Sequence, residues 1–137
     1  MTAAEAFDQV CAYTLTHGGR AFIHQHVVDA YAAQTADAHT KPIKLAFALV
    51  GLHLLCEKQF SGRQVQRVHM VLAKQSRRWP AFPPPRDRGA ITAADVLAAP
   101  AGARRDATIH AWCAAVWAAY RDCHRPVAEL LRAHGFE

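Results

Sequence analysis

The sequence predicts an all-α fold: a helical bundle of four or more main helices, with a proline-rich loop and one short extra helix. Three observations predict it. Alanine dominates the apolar residues while isoleucine is scarce, and alanine loses no side-chain entropy on entering a helix. Apolar residues recur three and four places apart, with no strand-like alternation competing. Two capping boxes, Thr2 with Glu5 and Ser61 with Gln64, stand directly before such runs. At 137 residues, 52% hydrophobic and 20% charged, the chain fits a single helical domain over 1–137. That length buries a core without disulfide or metal staples.

The elements follow in order. A first helix starts at Thr2 and turns Phe7, Val10, Cys11, Thr14 and Leu15 to one face; Gly18 and Gly19 stop it, because glycine enters the left-handed C-cap without steric cost. A second runs from about Arg20 to Gln34 on the stripe Ile23, Val27, Ala30 and Tyr31. After a polar connection, Pro42 occupies the first turn of a third helix reaching Gln59, where its missing N–H costs nothing. This helix is apolar on nearly every side, from Ile43 to Leu55, so it is expected at the centre of the bundle.

Ser61 opens a fourth helix to about Arg77, with Val65, Val68, Leu72 and Met70 inward. From Trp79 to Ile91 the pattern stops, since Trp79-Pro80 and Pro83-Pro84-Pro85 remove donors and restrict the residues before them. Thr92 caps a short helix to about Ala99. A last long helix begins near Asp106, carries Ile109, Trp112, Cys113, Val116, Trp117 and Tyr120, and is kinked or restarted at Pro126. Trp112 and Trp117, five residues apart, are expected on different faces. The outward ring would then mark a contact surface.

Composition narrows the function classes. No stretch approaches the roughly 18 uninterrupted apolar residues of a membrane span, and the N-terminus lacks a secretory leader's basic start and cleavage site; a cytoplasmic location is expected. Cys11, Cys56, Cys113 and Cys123 are dispersed without a C-x-x-C pair, as free core thiols are. The net charge of +5 comes from scattered residues rather than a basic run. There is no Gly-x-Ser-x-Gly elbow and no glycine-rich phosphate loop. Cys56 lies on an apolar helix that buries it, and adjacent Cys123 and His124 diverge by about 100° around a helix.

The candidate site is a metal centre built from His26 and Asp29 on the second helix with His53 and Glu57 on the third. His-x-x-Asp and His-x-x-x-Glu each put two side chains on one face. Histidine and carboxylate on facing helices is how bundles hold divalent transition metals. A hairpin turning near residue 38 would bring His53 toward Ile23 to His26. The plain alternative is structural: His53 makes one bond within its helix, Glu57 pairs with Lys58 or Arg20, and Asp29 bonds Gln25 or a basic residue across an interface. The ligand spacing also lacks the Glu-x-x-His repeats of di-iron bundles. Separately, Arg77, Arg78, Arg86, Arg88, Arg104 and Arg105 flank the proline-rich segment, with Trp79 and Phe82 among them. Cations beside stacking rings suit single-stranded nucleic acid, but ordinary solvated arginines read the same way and no helix-turn-helix pattern accompanies them. His39 falls in a polar loop and is expected in solvent, His24 shares a face with Val28 and Tyr31 as a half-buried helix histidine, and His69, His110 and His124 are isolated along the chain.

Three segments carry a resemblance. His26-Val27-Val28-Asp29-Ala30-Tyr31-Ala32-Ala33-Gln34, the run from Trp79-Pro80 through Pro84-Pro85, Gly89, Thr92, Asp95 and Val96, and the segment Trp112 to Trp117 together resemble the signature of a bacterial family of unknown function. The resemblance covers most of the chain. It implies relatedness and no particular chemistry. Many members begin with a cysteine-bearing segment suited to metal; this chain has only Cys11 there, a departure from that pattern.

The leading expectation is therefore a small helical protein that works by binding or self-association as a homo-oligomer. The alternatives are a metal-binding protein or metal-dependent enzyme at His26, Asp29, His53 and Glu57, and a weak single-stranded nucleic-acid binder.

Overall fold

A computed structural model describes residues 1–17, 19–75 and 78–136, with Arg20 described by its backbone alone. The helix stop expected at Gly18 and the helix end expected at Arg77 lie outside the described residues. Those residues form seven α-helices and no strand: α1 Ala3–His17, α2 His24–Gln34, α3 Pro42–Lys58, α4 Gly62–Gln75, α5 Ala93–Ala98, α6 Ala103–Ala119 and α7 His124–Ala133. Among them no helix is long and apolar enough to cross a membrane.

α3 is the central element, as its all-round apolarity requires. It packs on α2, α4, α6 and α7 and buries Leu45, Leu49, Val50, Leu52 and Leu54. Pro42 sits in its first turn. At the other end Gln59 takes the left-handed region (φ 55). Its N–H returns to the Leu55 carbonyl, and that of Phe60 to the Leu54 carbonyl, which satisfies acceptors the helix leaves open. Val27 and Ala30 of α2, Val65 and Leu72 of α4, Ile109, Trp112 and Val116 of α6 and Leu131 of α7 complete the core.

Both expected capping boxes form. The Thr2 N–H meets Glu5 at 2.9 Å and the Glu5 N–H meets Thr2 Oγ1 at 3.1 Å. The Ser61 N–H reaches Gln64 Oε1 at 2.8 Å, and the Gln64 N–H reaches Ser61 Oγ at 3.2 Å. Thr92 and Asp95 start α5 in the same manner.

The departures have tertiary causes. α2 begins at His24 rather than Arg20, because a 3-10 turn at Gly19–Ala21 and Phe22 at φ 52 precede it. That turn presses on Gly62, where a Cβ would stand 1.8 Å from the Phe22 carbonyl oxygen. α6 begins three residues before Asp106. The Gly102 N–H donates to the Tyr13 hydroxyl, which donates to Asp106 Oδ1 at 2.8 Å. This pairing also turns Tyr13 inward on α1 and leaves Leu15 exposed. Met70 is exposed as well, since α4 buries only the stripe through Val65, Val68 and Leu72.

Trp112 and Trp117 are both buried, against the expectation that one faces outward. α6 packs on α2, α3 and α5 together, so two of its faces are interior. The proline-rich segment is clamped to the end of α2. Arg88 donates to the carbonyls of Gln34 and Ala36 and to that of Pro85. The Gln34 amide donates to the Ile91 carbonyl at 2.7 Å and accepts the Trp112 indole N–H at 2.9 Å. Tyr120 closes the same corner with a 2.6 Å bond to the Ala33 carbonyl. Pro126 lies in the first turn of α7, which follows a 3-10 turn at Arg121–Cys123; the helix is restarted there rather than kinked.

Candidate functional site

The structure distributes the four expected metal ligands over three places. Asp29 is buried where α2 crosses α3, with its carboxyl against the backbone of Gly51: a Cβ on that glycine would lie 1.8 Å from Asp29 Oδ2. Oδ1 accepts the Gln25 amide at 3.1 Å, the bond expected of i, i+4 neighbours. Oδ2 is buried without a partner. Burial pushes this carboxyl well above the usual carboxylate range, against the opposing pull of the Gln25 bond.

The same helix crossing places His26 beside Leu55 and Cys56. Its ring lines a hollow of about 500 Å³ with Ile23, Phe60, Gln64, His110 and Ala114 among the walls. The His26 and His110 ring centroids are 6.0 Å apart. Burial, with a smaller contribution from the neighbouring His110, lowers His26 to about 4, so the ring is neutral at pH 7. Cys56 is lifted to about 11 by burial and by the Glu57 charge. Cys113, deeper in the core, is also raised by burial. Thiols held protonated in this way are poor nucleophiles, as their placement on apolar helices implies.

His53 lies two residues beyond Gly51, roughly 200° around α3, and so faces away from His26 toward α6 and α7. With Glu57 it lines a different hollow, of about 450 Å³, shared with Lys58, Trp117, His124, Arg125 and Arg132. Trp117 organises this hollow. Its indole N–H donates to Glu57 Oε1 at 2.9 Å. His124 stacks on its face with centroids 3.8 Å apart and planes 10° from parallel, and His53 meets its edge at 5.6 Å. His124 Nε2 lies 2.7 Å from the Trp117 carbonyl; that nitrogen must carry a hydrogen to bond there, which leaves Nδ1 as the acceptor of the neutral ring. Burial holds His53 below its usual value, opposed by the Glu57 carboxylate. Its Nδ1 is buried without a partner.

His53 and Glu57 are thus brought together, while His26 and Asp29 lie elsewhere. Glu57 takes the Trp117 indole instead of pairing with Lys58, and the side chain of Arg20, its other expected partner, lies outside the described residues. Among the described residues, no group of three or more His, Cys, Asp or Glu side chains is arranged to hold a metal ion. Sequence spacing missed Trp117, His124, Arg125 and Arg132, because α6 and α7 meet α3 only through the tertiary fold. The signal in the chain was the crowding of His124, Arg125 and Arg132 on one short amphipathic helix.

Two of the arginines beside the proline-rich segment, Arg88 and Arg105, have structural work. Arg88 binds the carbonyls at the end of α2 as described. Arg105 donates to the carbonyls of Ala99 and Leu97 and lies over the Tyr13 ring, 4.7 Å from its centroid. Phe82 is buried in the core. Arg77 is outside the described residues. His69 is held between helices, its Nε2 2.8 Å from the Phe47 carbonyl, and His24 meets Thr14 at 3.0 Å. Both are packed helix histidines.

A family model described as a family of unknown function matches residues 3–121, a span that includes all three segments of the resemblance. No curated protein and no solved structure matches the chain.

Proposed function

The chain belongs to the family of unknown function DUF5946, and on that premise we propose that this small helical protein is a binding module for a small anion. The ligand occupies the hollow between α3 and α7, on the wall formed by Trp117. One observation carries the reading. Lys58, Arg125 and Arg132 line this hollow and, among the described residues, the side chain of none of them has a hydrogen bond or an ion pair. The one carboxylate among them, Glu57, is engaged by the Trp117 indole. Three unpartnered cations around a concave wall raise the local concentration of anions and supply donors to a carboxylate or phosphate group. A volume of about 450 Å³ is within the range of small-molecule sites.

Thermal unfolding with inorganic phosphate, against sodium chloride at equal ionic strength, tests the proposal. A saturable rise in Tm is expected from phosphate alone, and Arg125→Ala with Arg132→Ala should remove it. Identical curves in the two salts, or a rise that survives the double substitution, would exclude the site.

Self-association draws on a different observation. With both α6 tryptophans inside, the remaining support is the exposure of Ile43 on α3 and of Met70 and Val71 on α4. Light scattering decides this reading; a mass equal to one chain at high concentration excludes it.

A further inference from the structure

We propose that the hollow walled by α2, α3, the start of α4 and α6 is a second binding site, for a small uncharged aromatic molecule carrying a hydroxyl group. It shares no lining residue with the hollow at Trp117 and does not rest on the anion reading. Its walls define the ligand class by elimination. Ile23, Leu55, Phe60 and Ala114 supply apolar surface, and neither lysine, arginine, aspartate nor glutamate lines it. A charged ligand would leave water here without compensation. An apolar one loses nothing.

The polar group follows from what the walls leave open. His26 is 3% exposed, and its Nδ1 is buried without a partner. That nitrogen is closed off from the hollow; Nε2, which also has no partner among the described residues but is not closed off, is the one a ligand can reach. A histidine so deeply placed is ordinarily hydrogen-bonded within the protein. Gln64 uses its amide oxygen and Ser61 its hydroxyl oxygen in the α4 capping box, while the Gln59 amide nitrogen is engaged by the Cys56 carbonyl. What remains is Nε2 of the neutral His26 ring, the ring nitrogens of His110, the Ser61 hydroxyl hydrogen and the N–H donors of Gln64. A hydroxyl both donates and accepts, so it serves donors and acceptors alike. The Phe60 ring and the two imidazoles offer aromatic faces to a flat body. The volume of about 500 Å³ is ample for one or two rings.

Phenol is the probe, with benzoate as its charged counterpart, followed through the ring signals of isotope-labelled histidine by NMR. Phenol should shift the His26 and His110 signals saturably and leave those of His53 and His124 in place. Benzoate should bind about tenfold more weakly or worse, because its charge must be desolvated. His26→Leu should weaken phenol by about tenfold, the loss of one good hydrogen bond. Ala114→Trp, from a position exposed to solvent, should fill the hollow and abolish binding without touching the core, which keeps the test decisive if the first variant folds poorly. Shifts spread equally over all histidines, no saturable shift, or undiminished binding in Ala114→Trp would overturn the proposal. Phosphate should leave the His26 and His110 signals unmoved, so failure of either site is read separately.

Discussion

Asp29 occupies the volume that a side chain at Gly51 would need, its Oδ2 standing 1.8 Å from where a Cβ would be placed. The contact sets how closely α2 approaches α3, the broadest helix pairing among the described residues. Gly51→Ala should therefore force the helices apart or displace the carboxyl, at about 1–3 kcal/mol. Urea denaturation measures this. A loss below about 0.5 kcal/mol would mean the crossing yields freely.

Removing the ionisable group of Asp29 has a different signature. Its folded value is raised by burial, so the folded chain keeps a proton that the unfolded chain releases near pH 4. Stability contributed by the protonated form is complete below the unfolded value and declines as pH rises through it toward the folded value. Asp29→Asn cannot ionise. It should match the wild type at about pH 3 and gain on it as pH rises above the unfolded value of about 4, until the folded carboxyl itself ionises. Parallel stability curves across that range would show that the carboxyl is not held protonated.

His26 works in the opposite direction. Its folded value of about 4 lies below the usual 6.5, so the unfolded chain binds a proton first as pH falls. The associated stability is present above pH 6.5, is lost between 6.5 and about 4, and changes no further below. The whole window amounts to roughly 3 kcal/mol. His26→Leu should flatten the decline between about pH 6 and pH 4 while leaving the Asp29 slope at higher pH. An unchanged acid slope in the variant would place the proton uptake elsewhere.

Gln34 joins three parts of the fold through its side chain alone, accepting from Trp112 and donating to Ile91. Gln34→Leu leaves the indole N–H of a fully buried tryptophan without an acceptor. The expected cost is about 1–3 kcal/mol. Amide exchange should also accelerate in the segment from Trp79 to Ile91, which the glutamine helps to pin. Exchange at its wild-type rate there would mean that Arg88 and the buried Phe82 hold the segment without the glutamine.

The local elements were legible from the chain because their causes are local. Capping boxes at Thr2 and Ser61, Pro42 in a first turn, the proline cluster and the restart before Pro126 depend on neighbours within four residues, and each appears as expected. So does the central place of α3, since a helix apolar on every side has to be surrounded. Which side chains share a hollow depends instead on how helices cross. Gly51 is invisible to hydrophobic periodicity, yet it lets Asp29 in and thereby sends His26 and His53 to opposite sides of α3. The burial of both α6 tryptophans likewise depends on packing against three helices at once. A chain of this kind determines by itself where it coils and which stripes turn inward; helix contacts between distant residues decide which polar groups meet, because a shift of one residue rotates a helical side chain by about 100°.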